Sequence, residues 1–162
     1  MWPLAGQLSG SSVGPPLEGR LFSATAISPR TVSAYLQTHY GVRATQPFAL
    51  RIGRYSAPLQ AVHRDYGATG SAYLTAFNPF SRTLTAAHNA ARHASLLRVL
   101  QRQGLPWLPG LGRHPGGGWP GERSVLVPGL DLDAASLLGI AWQQNAIVWS
   151  GADAVPQLIL LR

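Results

Sequence analysis

The run SAYLTAF, residues 71–77, is apolar at nearly every position. Strands with one wet face alternate polar and apolar residues. A strand that is apolar on both faces belongs in the middle of a sheet covered on both sides. Asn78-Pro79 follows at once, and proline, which has no N–H to give to a ladder, ends the strand. The chain therefore needs strands on either side of this one and enough helix to cover two faces.

Local signals supply the helices. The clearest runs from about Leu84 to Gln103 and stops at Gly104. Leu96, Leu97 and Leu100 form its apolar stripe, with Arg98 and Arg102 facing outward. Ser56 can cap a second helix, from Ala57 to about Tyr66, closed by Gly67. Asp131 or Asp133 caps a third, through roughly Gln143, with Leu137, Leu138, Ala141 and Trp142 on its apolar side. Ser28-Pro29 has the form of an N-cap followed by proline at the first helical position, which suits a short helix through Tyr35 or a little beyond. AYLQTHYGV also alternates, so a strand is an open alternative there.

FALRIG and SVLVPG read as further strands, and NAIVWSG with PQLILL as a terminal hairpin around Ala152-Asp153. LPWLPGLGRHPGGGWPG is too rich in glycine and proline to be assigned. The order is β-α-β-α-β-β-α-β-β with an optional first helix. It predicts a single α+β domain over residues 28–162, a mixed sheet covered by about three or four helices. Residues 1–27 read as a flexible Gly/Pro/Ser-rich lead-in with room for a short strand at LFSATAI.

With 162 residues and 46% apolar content, the chain can bury a real core. Charged residues make up only 12%, about half the usual share of roughly 25%. All 13 basic residues are arginine, which a codon bias toward GC explains as readily as selection for charge. The net charge of +7 is thus weaker evidence for nucleic acid than a lysine and arginine cluster would be. Cysteine is absent, which excludes disulfides and thiolate metal sites. The N-terminus lacks a signal-peptide pattern, and no apolar run approaches the ~18 residues of a membrane span, so a soluble cytoplasmic protein with no membrane partner is expected.

The candidate site begins where SAYLTAF hands over to the long helix. Asn89 and Arg92 are three apart and share a helical face that continues into Leu96 and Leu100. Asn78 closes the preceding strand. Strand ends and helix N-termini collect ligands in α/β proteins, and free N–H groups with an arginine favour an anion. The plainer reading is that Arg92 pairs with a buried carboxylate while the asparagines satisfy turn backbone. Trp119-Pro120-Gly121-Glu122 enters the SVLVPG strand, and Glu122 is one of only six acidic residues. It is the credible catalytic acid or base, or else a structural partner of Arg92. Gln143, Gln144 and Asn145 can hydrogen-bond a ligand or simply stop a helix. His88 and His93 are five apart and do not share a face as zinc ligands would, so no metal is expected, and no cofactor motif is present.

These segments, AYLQTHY, LRIG, TAFNPFS, HNAAR, GLPWLPGLGRHPGGGWPGERSVLV and QNAIVW in that order, resemble a family of small bacterial proteins catalogued as a domain of unknown function. The resemblance covers about residues 33–160, and its most specific parts are the Thr-Ala-x-Asn-Pro centre and the Trp-Pro-x-Glu element. It implies that Asn78, Asn89, Arg92, Trp119, Glu122 and Gln144 form one recurring set, and it implies no activity. Thr85 and His88, three residues apart, sit where a capping box would place Thr and Glu, and His88 is a departure, since it stands where the family pattern leads one to expect a glutamate.

Three functions fit. The first is a pocket for an anionic small molecule, nucleotide-like or a carboxylate or phosphate metabolite, with Asn78, Asn89, Arg92, Trp119 and Gln144 as ligand-binding residues and Glu122 as the catalytic group. The second is nucleic-acid binding through a patch such as Arg51, Arg54 and Arg64, or Arg98 and Arg102. The third is a protein-interaction module, for which sparse charge and five tryptophans leave room.

Overall fold

The computed structural model describes residues 25–162. The lead-in of residues 1–24 lies outside them, and so does most of LFSATAI; Thr25, Ala26 and Ile27, its described end, are not in a strand.

Helix α1 (Pro29–Gln37) starts at Ser28, whose hydroxyl accepts the N–H of Thr31. Strands β1 (His39–Val42) and β2 (Phe48–Leu50) follow, so AYLQTHYGV is helix in its first half and strand in its second. Helix α2 (Ala57–Tyr66) is capped by Ser56 and closed by Gly67, which adopts the left-handed conformation that glycine takes without strain. Next come β3 (Ser71–Thr75), a short 3₁₀ turn (Pro79–Ser81), and α3 (Ala86–Arg102). Strands β4 (Leu108–Arg113) and β5 (Glu122–Pro128), helix α4 (Leu132–Ala141) and the hairpin of β6 (Ala146–Ser150) and β7 (Gln157–Leu160) complete the chain. Asp131, rather than Asp133, caps α4 by accepting the N–H of Ala134.

The fold is α+β: the described residues form one seven-stranded sheet, in the order β2-β1-β4-β5-β3-β6-β7, with four helices. Each of its pairs is antiparallel, so the mixed sheet expected from the alternation of helices and strands is corrected to an antiparallel one. Strand β4 lies inside the Gly/Pro segment that carries no sequence signature. Gly110 has a packing reason: a Cβ there would stand 2.8 Å from the Tyr73 ring and 2.9 Å from the Gly41 carbonyl.

SAYLTAF is central, as its composition requires. Ala72 and Leu74 pack with Val125 and Val127 beneath Leu96 and Leu100 of α3 and Ala135 of α4. On the opposite face Tyr73, Tyr40, Val42, Leu126 and Val148 pack with Leu59 and Val62 of α2. Helix α4 departs from its expected stripe. Leu137 is 68% exposed and Ile140 54%, while Ala135 and Gly139 are buried. Gly139 permits this close approach, since a Cβ there would lie 2.7 Å from Ile147 Cγ2.

Two histidines sit in this core. His63 shares a 2.8 Å hydrogen bond with the Ser71 hydroxyl, and His93 meets Phe77 edge-on. Burial lowers both pKa values; Asp153 partly opposes the shift at His63, and Arg123 adds to it at His93. The unfolded chain takes protons at these side chains near pH 6.5, and the folded protein only at lower pH. Below that value the unfolded state binds more protons, so stability is full above about pH 6.5 and falls as the solution is acidified. Melting followed by circular dichroism is expected to show a constant Tm down to about pH 7 and a decline toward pH 5. His93→Leu should reduce that decline, and a Tm unchanged across the range would contradict it.

Candidate functional site

The polypeptide leaves β3 through Thr75, whose hydroxyl donates to the Arg123 carbonyl at 2.7 Å and accepts the Phe77 N–H. The next turn is strained. Asn78, Phe80 and Ser81 have φ of 45°, 50° and 59°, in the left-handed region. Such residues cost of order 1–3 kcal/mol each and persist only where neighbours over-determine them. Here they do. Phe80 N–H donates to the Gln143 carbonyl at 2.7 Å, and Ser81 Oγ hydrogen-bonds both Tyr35 Oη and Asn145 Nδ2 at 2.9 Å.

Asn78 is the hub. Its Oδ1 accepts from Leu84 N–H at 3.0 Å and from Asn89 Nδ2 at 2.8 Å. Its own N–H donates to Asn89 Oδ1 at 2.9 Å. With two donors on its oxygen, the amide must present its NH₂ to Glu122, and Nδ2 donates to Glu122 Oε1 at 2.7 Å. Trp119 Nε1 donates to the same oxygen over a longer 3.4 Å.

Arg92 goes elsewhere. Its Nε donates to the Ala76 carbonyl at 2.6 Å and its Nη2 to the Trp142 carbonyl at 2.7 Å, with the guanidinium 5.6 Å from the Trp142 ring. Both polar bonds are to backbone, so Arg92 ties the end of β3 to the end of α4. Neither of the expected partners, an anion or Glu122, is what these two nitrogens meet. Gln144 reinforces the tie by donating from Nε2 to the carbonyls of Phe77 and Trp142, each at 3.1 Å. Gln143, at φ 57°, ends α4, so this glutamine pair is both a helix stop and part of the junction.

The start of α3 follows its sequence signals in part. Thr85 is the N-cap and accepts the His88 N–H. A glutamate at position 88 would reach back to the Thr85 N–H; His88 instead shares a 2.9 Å hydrogen bond with the Thr85 hydroxyl.

A cavity of about 680 Å³ opens between α1 and the face of the sheet that carries Glu122. Asn78, Trp119, Glu122 and Gln144 line it; Asn89 and Arg92 do not. Asn89 is 5% exposed and acts on the cavity only through Asn78. The structure therefore separates the six residues into four on the wall and two behind it. It also adds wall residues that the sequence did not single out: Arg30 and Tyr35 of α1, Tyr40 and Tyr73 from the sheet, and His114. Tyr40 Oη donates to the Tyr35 carbonyl at 2.6 Å and Tyr73 Oη to the Gly41 carbonyl at 3.0 Å. Burial raises both phenol pKa values far above the ordinary one, and the nearby Glu122 charge adds to the effect, so both stay hydrogen-bond donors. The one sequence cue to this aromatic floor was the alternation of AYLQTHYGV, which places Tyr40 on the inner face.

Chemically, the wall offers a carboxylate with one oxygen held in place, an exposed indole beside it, neutral amides and a cation at Arg30. Among the described residues no group of three His, Asp or Glu side chains stands close enough to hold a metal ion, and no helix is long and apolar enough to cross a membrane.

The chain matches no curated protein and no solved structure. Residues 74–147, the stretch that holds Asn78, Asn89, Arg92, Trp119, Glu122 and Gln144 together, match the model of an uncharacterised family described as "Protein of unknown function (DUF3293)".

Proposed function

We propose that the protein binds a small organic molecule in the cavity beneath α1, with Glu122 receiving a hydrogen-bond donor of the ligand. One observation carries this: Glu122 Oε1 is held by Asn78 Nδ2 at 2.7 Å on the wall of a cavity of about 680 Å³. That volume falls in the range of small-molecule sites, roughly 300–1,000 Å³. A strained turn locked by buried amides is a costly way to place a carboxylate, and such strain gathers at sites that need pre-organised groups.

The anionic ligand suggested by the sequence needs a different cation. Arg92 is committed to two backbone carbonyls, whereas Arg30 lines the cavity. The ligand class that suits both poles carries a donor such as an amine for Glu122 and an anionic group for Arg30, as amino acids and aminated nucleotides do. Among the described residues lining the cavity Glu122 is the carboxylate and His114 the imidazole, and of the two Glu122, held by Asn78, is the one we assign to proton transfer.

Titration calorimetry and thermal shift with amino acids, mononucleotides and sugar phosphates test the reading. At least one compound should raise the Tm of the wild-type chain. Glu122→Gln keeps an acceptor for Asn78 but removes the charge. It should weaken that compound about ten- to hundredfold, the equivalent of a lost charge-assisted hydrogen bond. Equal binding by E122Q, or no binding by any compound, would overturn the proposal.

A further inference from the structure

The sheet has a second face at its β2-β1-β4 end, and it is basic. On β1, Tyr40 and Val42 point into the core, so His39 and Gly41 point the other way. The register carries that face across the sheet: His39 is paired with Arg113, Gly41 with Ala49 and with Leu111, and Leu111 with Arg123. Arg51 joins it just past β2, where its Nη1 donates to His39 Nε2 at 2.6 Å. Arg43 joins it just past β1, where its N–H extends the ladder to the Pro109 carbonyl at 2.8 Å. Four arginines thus border a floor of Gly41, Ala49 and Leu111.

Among the described residues no helix covers this end. The residues beneath α3 and α4 come from β3, β5 and β6, while His39, Arg43, Ala49, Arg113 and Arg123 are exposed. A shallow depression of about 450 Å³ lies over the floor. Among the described residues none of these strand positions is acidic; Glu122, paired with Gly112, faces the opposite side. Arg51 is partly buried, and among the described residues its Nε has no hydrogen-bond partner.

We propose that this face binds single-stranded nucleic acid through its phosphates. Guanidinium forks match phosphate oxygens in bidentate fashion. The cations come from four neighbouring strands, with Arg51 and Arg113 about 10 Å apart across β2, β1 and β4, and this arrangement suits a strand whose phosphates meet the arginines and whose bases lie over Leu111 and His39. A duplex is read by a helix or a β-ribbon that enters a groove, and this face projects neither. Of these arginines only Arg51 belongs to a patch suggested by spacing along the chain; Arg43, Arg113 and Arg123 join it through pairing across strands. The site is on the opposite side of the sheet from the Glu122 cavity, so the two proposals stand or fall separately.

Fluorescence anisotropy of the full chain with a labelled oligothymidylate of about 20 nucleotides tests it, longer than the roughly 4–16 that one small domain covers. With four phosphates neutralised, log affinity should fall against log salt with a slope of about −2.8, at about 0.7 per contact. The triple variant R43Q/R113Q/R123Q should lower the slope to about −0.7 and weaken binding more than about tenfold at low salt. R64Q/R98Q/R102Q removes the same charge from exposed helical positions and should bind within about threefold of wild type, showing that placement rather than net charge matters. Circular dichroism establishes that both variants are folded. The proposal is overturned if wild type fails to bind at low salt, if the two triple variants lose affinity equally, if duplex DNA binds more tightly, or if polyglutamate displaces the oligonucleotide at equal charge, which would point to an acidic protein partner.

Discussion

Asn89→Leu should lower the stability of the fold by about 3 kcal/mol, measured by urea denaturation, although leucine suits both a helix and a buried position. Asn89 is 5% exposed, and both ends of its amide are used by one neighbour: Oδ1 takes the Asn78 N–H at 2.9 Å and Nδ2 reaches Asn78 Oδ1 at 2.8 Å. Two neutral hydrogen bonds contribute about 1 kcal/mol each, and a backbone N–H left without its acceptor away from water costs a further 1–3 kcal/mol. For a domain of this size that corresponds to a Tm lowered by roughly 6–12 °C. The effect should reach the cavity as well. Asn78 presents its NH₂ to Glu122 only because Asn89 and Leu84 occupy its oxygen. Asn89→Leu is therefore expected to weaken any ligand of the cavity without touching it. A loss below about 1 kcal/mol would mean that the turn holds itself without the amide pair.

Arg92→Met should be at least as costly, with a loss of about 3–5 kcal/mol. Methionine keeps much of the aliphatic stem and the packing on Trp142 but none of the donors. The Ala76 and Trp142 carbonyls lose charge-assisted bonds of 2.6 and 2.7 Å, and only the Trp142 carbonyl keeps a side-chain donor, Gln144. Hydrogen bonds to charged groups contribute about 1.5–3 kcal/mol each. Arg92→Lys should recover less than half of the loss, since one ammonium cannot reproduce two donors set at the geometry of a planar fork. An arginine reserved for a ligand would behave differently: its removal would leave the urea midpoint in place and abolish binding. A midpoint unchanged in R92M would show that the two carbonyl contacts contribute nothing to the fold.

The residues that were legible in the sequence are those whose role is local. Ser28, Ser56, Thr85 and Asp131 are N-caps because a side-chain oxygen finds an N–H three residues ahead. Leu96 and Leu100 are buried because a helix repeats every 3.6 residues. Asn78, Glu122 and Gln144 were legible as polar residues at element junctions, and they do share one cavity wall. Leu137 was misassigned to the covered side because α4 is apolar around most of its circumference, so its pattern does not say which side the sheet takes. Strand β4 is hidden in the sequence because Gly110 answers to Tyr73 and Gly41, which are far from it along the chain.

The sequence by itself determined an α+β order, a doubly covered central strand and a set of junction residues, because periodicity and capping act over a few positions. Only the tertiary structure decided what those residues hold. Asn78 reaches Glu122 across 44 positions and Arg92 reaches Trp142 across 50, and no local pattern records such partners. The antiparallel register decided the rest. It turned Glu122 toward the cavity and Arg123 toward the basic face, since neighbours along a strand point to opposite sides of the sheet.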